Sequence, residues 1–79
     1  MRWTLRYSPE AIQAIYQIPR AIWQAAKAAV WSLQDNPLPP NVQTDEADPS
    51  LYWIPLPGDY VLYYSIVDEQ HLVRILDME

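Results

Sequence analysis

Prolines determine where helices can form in this chain. Pro9 follows Ser8, whose hydroxyl can cap a helix, and proline is well tolerated in a first helical turn. Pro19 disfavours helix in the residue before it and can itself open the next helix. Two helices are therefore predicted, over residues 9–17 or 9–18 and over residues 20–34.

Each predicted helix has one apolar side. In the first helix, Ile12, Ile15 and Tyr16 fall at helical spacing and give the helix one apolar stripe. The core-facing positions predicted for the second helix are Ile22, Ala26, Ala29 and Leu33. Trp31 falls on the opposite side of that helix, so packing against the protein's own core does not explain it.

Strand patterns precede and follow the helices. Trp3, Leu5 and Tyr7 alternate with polar residues, which is the period of a strand with one buried face. Three further strands are predicted over residues 51–56, 60–67 and 71–76, with tight turns at 57–59 and 68–70. The predicted fold is α+β, in the order β-α-α-β-β-β, with two N-terminal helices packed on one face of an antiparallel four-stranded sheet. The other face is left open to solvent or to a partner, and Pro55 must lie at a sheet edge or a bulge.

A long proline-rich segment separates the helices from the last three strands. Residues 36–50 contain four prolines and no apolar periodicity, so they are predicted to form a loop within a single domain spanning residues 1–79. Asp45, Glu46 and Asp48 lack the glycine and terminal glutamate of a calcium loop, and they are interpreted as solvated charge.

Composition argues against several classes of function. The chain has no cysteine and a single histidine, His71, so neither a metal site nor a cofactor is expected. A net charge of −5 makes nucleic-acid binding unlikely, because it repels polyanions. The sequence has no apolar stretch typical of a signal peptide or a membrane span, and a cytoplasmic protein is expected.

A few side chains are candidates for chemistry. His71 could act as a general base, although a lone histidine at the start of a strand is more often plain surface. Arg74 could bind phosphate or a partner carboxylate, and the alternative is an internal pair with Asp59 or Asp77. Tyr63 is placed by strand alternation on the opposite face from Tyr60 and Tyr64, and it completes the catalytic candidates.

Other aromatic residues are candidates for binding a partner. Trp31, Tyr52 and Trp53 lie outside the predicted core, and large aromatics in such positions are enriched at protein interfaces. The alternative is partial burial under the proline-rich loop. Trp31 together with an exposed sheet edge also makes a homodimer plausible.

Several short motifs occur in a characteristic order. They are Tyr7-Ser8-Pro9-Glu10-Ala11, Ile18-Pro19, Leu33-Gln34-Asp35-Asn36-Pro37 and Gly58-Asp59-Tyr60. Because these motifs occur in this order, the chain resembles the RelE/ParE toxin superfamily of type II toxin–antitoxin systems over nearly its whole length. The resemblance implies either a ribosome-dependent messenger-RNA endonuclease of the RelE kind or a gyrase poison of the ParE kind.

The resemblance is degenerate at the catalytic positions. The family usually has an arginine directly after its Gly-x-Tyr, where this chain has Val61. Basic residues that are common in the strand before the hairpin are replaced around Trp53 and Pro55, and the family's basic cluster after the last strand has no counterpart before Glu79. The expectation is a protein that acts by binding another protein, either the cognate antitoxin or a regulatory target. The alternative is an active endonuclease that uses His71, Arg74 and Tyr63, or a gyrase inhibitor of the ParE kind.

Overall fold

The computed structural model describes residues 2–79, which form two helices and five strands. The helices are α1 (Pro9–Gln17) and α2 (Arg20–Leu33). The strands are β1 (Thr4–Tyr7), β2 (Gln43–Thr44), β3 (Tyr52–Pro55), β4 (Val61–Val67) and β5 (Leu72–Met78). Short 3₁₀ turns at residues 57–59 and 68–70 join the last three strands. The predicted helices, the hairpin and the turns are thus confirmed to within two residues.

The α+β class is confirmed, and the sheet differs from the prediction in two details. The strand order is β1-β5-β4-β3-β2, and β1 runs parallel to β5, whereas the other pairs are antiparallel. The fifth strand, β2, lies inside the proline-rich loop and pairs with Trp53 and Tyr52. A strand of two residues is too short to show any periodicity, so β2 could not be predicted from the sequence. Because β2 does not reach Pro55, that proline lies at a sheet edge, as predicted.

The helices and one face of the sheet enclose a single core. Fully buried side chains come from both layers: Ala26, Val30 and Leu33 of α2, Leu62 and Tyr64 of β4, and Val73 and Ile75 of β5. Small residues on the helices allow them to approach the sheet closely. Because successive strand residues point to opposite faces, the core positions also determine which residues lie on the other face.

The apolar stripe predicted for α1 lies only partly against the core. Ala11 and Ala14 are the buried residues of this helix, with Ile15 packed beside them, whereas 48% of Ile12 and 85% of Tyr16 are exposed. Positions 11, 14 and 15 share one side of a helix, and positions 12 and 16 form the adjacent stripe. The larger side chains dominated the apolar pattern, but the smaller ones fit against the sheet.

Ser8 connects the start of α1 to an irregularity in β5. Its hydroxyl accepts a hydrogen bond from the Ala11 amide at 3.0 Å, which confirms the predicted cap, and donates to the Leu76 carbonyl at 2.7 Å. Tyr63 pairs with Asp77 and Tyr64 pairs with Ile75, so Leu76 is an extra residue in a β-bulge. The bulge carbonyl is therefore satisfied by the helix cap.

The proline-rich loop is fixed to the core at its beginning. The Tyr64 hydroxyl donates to the Pro37 carbonyl at 2.7 Å, and the Tyr64 ring is fully buried. Further along, the Asp45 carboxylate accepts the amides of Ala47 and Asp48 at 2.8 and 3.2 Å. These local bonds give the acidic run a structural role in turns.

The turn before β4 lies directly beneath α2. Gly58 has a φ of 71°, and a Cβ atom there would approach Cδ1 of Ile22 to 3.3 Å. A side chain at this position would thus meet both an unfavourable backbone conformation and a close neighbour. No helix within residues 2–79 has the length and apolar character needed to cross a membrane.

Candidate functional site

The face of the sheet opposite the helices is exposed and is here called the open sheet face. Leu62 and Tyr64 of β4 belong to the core, so Tyr63 and Ser65 lie on the open sheet face. The same alternation places three more residues there, which are Arg6 of β1, Trp53 of β3 and Arg74 of β5.

Two arginines are neighbours on the open sheet face. Arg6 is the register partner of Arg74 in the parallel β1–β5 pair, and Ser65 lies opposite Arg74 on its other side. Within residues 2–79, the salt bridge that forms joins Arg2 to Asp35, at 3.2 Å. The pairing of Arg74 with Asp59 or Asp77 that the sequence allowed is therefore not formed. Two adjacent exposed cations without a carboxylate partner can attract an anionic group.

Sequence reasoning missed Arg6 as part of this site. The alternation of β1 correctly placed Arg6 on the solvent side, but its position beside Arg74 depends on the parallel pairing of two strands that are far apart in the sequence. No local pattern encodes that pairing.

A second row on the open sheet face combines aromatic and acidic residues. Trp53, Tyr63 and Asp77 are successive register partners across β3, β4 and β5. The Asp77 carboxylate accepts the Met78 amide at 2.8 Å, which holds it against its own strand. Asp77 adds negative charge to the same face as the two arginines, which weakens the attraction of this face for a polyanion.

The three catalytic candidates are only partly brought together. Arg74 and Tyr63 share the open sheet face. His71 instead has a left-handed backbone, with φ of 52°, and its ring stacks on Trp3 with centroids 4.0 Å apart. Trp3 packs against the core, so His71 lies at the end of the sheet, away from the other two candidates.

The three predicted partner-binding residues lie on different surfaces. Tyr52 and Trp53 are adjacent in β3 and therefore point to opposite sides; Tyr52 stacks on Tyr64 at 5.6 Å on the core side. Trp31 is 55% exposed on the outer side of α2, and Lys27 Nζ lies 5.4 Å from its ring centroid. Trp31 and Trp53 are thus separated by the whole thickness of the domain and cannot contribute to one compact patch.

A groove of about 480 Å³ runs between α1 and α2 on their outer surface and is here called the helical groove. It is lined by Ile15, Tyr16, Ile18, Arg20, Trp23, Gln24 and Lys27. The sequence signal for it was the apolar stripe of α1, in which Ile15 packs against the core and Ile12 and Tyr16 remain exposed. A smaller groove of about 260 Å³ lies at the other side of α1, where Glu10 and Glu79 make it acidic.

Similarity to known proteins was found at the level of structure. No protein-family model matches the chain, and no curated protein matches it. The isolated RelE toxin of E. coli superposes with a TM-score of 0.81 over 96% of this chain and 81% of its own, at 18% identity. This chain has the RelE fold.

Two toxin–antitoxin complexes extend the same comparison. The RelBE2 complex of Mycobacterium tuberculosis matches with a TM-score of 0.81 at 24% identity, covering 100% of this chain and 98% of the other. The intact E. coli RelBE complex matches with a TM-score of 0.83 at 19% identity, covering 96% and 93%. The resemblance inferred from the short motifs is confirmed for the RelE fold, which here presents the open sheet face on one side and the helical groove on the other.

Proposed function

We propose that this RelE-fold protein is the toxin-side member of a type II toxin–antitoxin pair that has lost RNA cleavage and acts by binding a protein. The observation that carries the proposal is the composition of the open sheet face. Val61 lies on this face at the position where RelE-like toxins usually have an arginine, and only Arg6 and Arg74 supply positive charge among the described residues of the sheet.

The physical argument is electrostatic. Cleavage of a phosphodiester requires preorganised donors at the phosphate, where negative charge develops in the transition state. Two arginines supply part of the positive charge needed to stabilise it. Asp77 lies on the same face, however, and the whole chain carries a net charge of −5. Proton transfer needs a group within hydrogen-bond reach of the reacting atoms, and His71 is stacked on Trp3 at the end of the sheet.

A protein partner is supported by two observations. RelE-fold proteins from two bacteria have been solved as complexes with their antitoxins. In this chain Trp31 and Tyr16 are exposed by 55% and 85%, and large exposed aromatics are typical of binding surfaces. The partner is the cognate antitoxin or a regulatory target in the cytoplasm, and a second copy of the chain is the competing possibility.

One observation favours a second function, that of an active endonuclease toxin. Arg6 and Arg74 are adjacent and lack a carboxylate partner within residues 2–79, and Tyr63 shares their face. In this alternative the arginines hold the scissile phosphate, and Tyr63 contributes a hydrogen bond.

Expression of the chain alone in a bacterial host separates the two functions. We expect normal growth and intact messenger RNA by primer extension, with the folded protein detected in the cells. The matched control replaces Arg6 and Arg74 together by alanine and should behave identically. Growth arrest with cuts at translated codons, abolished in the double variant, would establish the endonuclease instead; arrest with altered DNA supercoiling would indicate a gyrase poison.

A further inference from the structure

The outer surface of the two helices carries apolar side chains that the core covers only in part. Ile12 and Tyr16 form a stripe along α1, and 48% and 85% of their surfaces are exposed. Ile15, Ile18 and Trp23 continue this apolar surface into the helical groove. Burying such a surface against another molecule is favourable, because it removes apolar area from water.

Positive charge is segregated onto the same surface. Residues 11–34 contain Arg20 and Lys27 and no acidic residue, although the chain as a whole has ten acids and a net charge of −5. The seven-residue spacing of the two cations corresponds to two helical turns, about 10 Å along α2. The Lys27 ammonium lies over the Trp31 ring, and neither cation forms a salt bridge within residues 2–79. Both charges are therefore available to an anionic partner.

We propose that the helical groove is the docking site for an acidic amphipathic helix of a partner protein, an inference that rests on the proposed protein-binding function. The apolar face of that helix occupies the groove between α1 and α2, and it anchors through residues at positions i, i+3 or i+4, and i+7. Two carboxylates spaced by about two turns along the partner helix pair with Arg20 and Lys27.

A separate partner fits this site better than a second copy of the chain. The acidic groove at Glu10 and Glu79 could complement the helical groove of another copy. Contact between two different surfaces of one chain does not close into a dimer by itself, and it generates open assemblies unless the rotation closes a ring. An acidic segment of another protein satisfies the same charges without that consequence.

Selection from a displayed library of short helical peptides tests the inference on the full chain. One variant reverses the groove charges, Arg20→Glu with Lys27→Glu. Its matched control reverses the open sheet face, Arg6→Glu with Arg74→Glu, and produces the same change in net charge. We expect enriched peptides to be amphipathic and acidic, to bind the groove variant about tenfold or more weakly, and to bind the control within about threefold of the unmodified chain. Circular-dichroism melts verify that both variants fold.

Nuclear magnetic resonance locates the bound peptide independently. The indole N–H signals of Trp23 and Trp31 should shift on binding, whereas that of Trp53 should not. The inference would be overturned if no peptide were enriched, or if the selected peptides lacked acidic residues. It would also be overturned if both variants lost affinity equally, or if only the Trp53 signal shifted. Self-association of the unmodified chain that the groove variant abolishes would overturn it as well, because the occupant would then be a second copy.

The proposed function and the groove assignment can fail separately. A cognate antitoxin that copurifies equally well with the unmodified chain and with the groove variant leaves the proposed function intact and overturns the groove assignment. Conversely, groove-specific peptides combined with messenger-RNA cleavage on expression would overturn the proposed loss of activity and leave the groove assignment intact.

Discussion

The helical groove and the open sheet face carry similar side chains in different settings. Each has two cations and a half-buried tryptophan: Arg20 and Lys27 with Trp23 on the helices, and Arg6 and Arg74 with Trp53 on the sheet. On the sheet the arginines are direct neighbours and an acid lies on the same face. On the helices the cations are two turns apart along an apolar strip that has no acid.

This difference in spacing determines what each surface can bind. Adjacent cations concentrate charge at one point, which suits a compact anion, whereas cations two turns apart match charges distributed along an extended partner. The type and number of charged residues therefore do not distinguish the surfaces. Strand register and helical periodicity do, because they set the distances between those charges.

A substitution in the core shared by both surfaces should have the largest effect on the free energy of unfolding. Leu33 is fully buried where α2 meets the sheet, so Leu33→Ala should lower the free energy of unfolding by about 2–5 kcal/mol through lost burial and a cavity. Urea denaturation measures this, with exposed Ser32→Ala on the same helix as the control. A loss below about 1 kcal/mol would mean that the two surfaces do not depend on a common core.

Tyr64→Phe should affect the open sheet face and leave the helical groove unchanged. It removes the hydrogen bond to the Pro37 carbonyl, at a cost of about 1–2 kcal/mol, and releases the loop that leads into β2 beside Trp53. We expect the indole signal of Trp53 to shift and that of Trp23 to stay in place. Equal shifts of both signals would show that the loop supports the helices as well.

The same substitution should alter the dependence of stability on pH. Burial raises the pKa of Tyr64 above its ordinary value of 10.0, so the folded state keeps the phenol protonated where the unfolded state loses its proton. The stabilising contribution is complete below about pH 10 and is lost as the pH rises towards the folded pKa. Tyr64→Phe should flatten this alkaline decline in part, because burial also raises the pKa of Tyr7.

Ser8→Ala should have a smaller effect, about 1 kcal/mol. The variant loses the cap of α1 and the hydroxyl that satisfies the bulge carbonyl of Leu76. Thermal melts measure the loss, and Ser8→Thr, which keeps the hydroxyl, should recover most of it. Failure of threonine to restore stability would indicate that the packing at this position, rather than the hydroxyl, matters.

Trp31→Glu should have the smallest effect on stability, within about 0.5 kcal/mol, because Trp31 is largely exposed and contacts Lys27. The same variant should weaken binding at the helical groove. Global unfolding in a circular-dichroism melt would contradict the outward position of Trp31.

Features with a local cause were predicted well from the sequence. Ser8 and Pro9 define the start of α1, and Gly58 occupies a turn that a residue with a side chain would strain. The exposed position of Trp31 also followed from helical geometry alone.

Features that depend on distant contacts were not predictable. The two residues of β2 become a strand only because β3 lies beside them, and Arg6 becomes the neighbour of Arg74 only through the parallel pair. The buried side of α1 did not follow from its apolar stripe, because the small residues Ala11 and Ala14 are buried there and the larger Ile12 is exposed. Tyr52 and Trp53 were grouped by residue type, although neighbouring strand positions face opposite ways.

The parallel pairing of β1 with β5 has a consequence for synthesis of the protein. Residues 4–7 pair with residues 72–75, so β1 lacks this partner until β5 has been translated. Contacts between such distant segments form slowly, because a long loop must close before they stabilise the chain. The two helices can form earlier from local contacts. On the ribosome, the surface built by the helices therefore precedes the paired arginines of the sheet, which exist only once translation has passed β5.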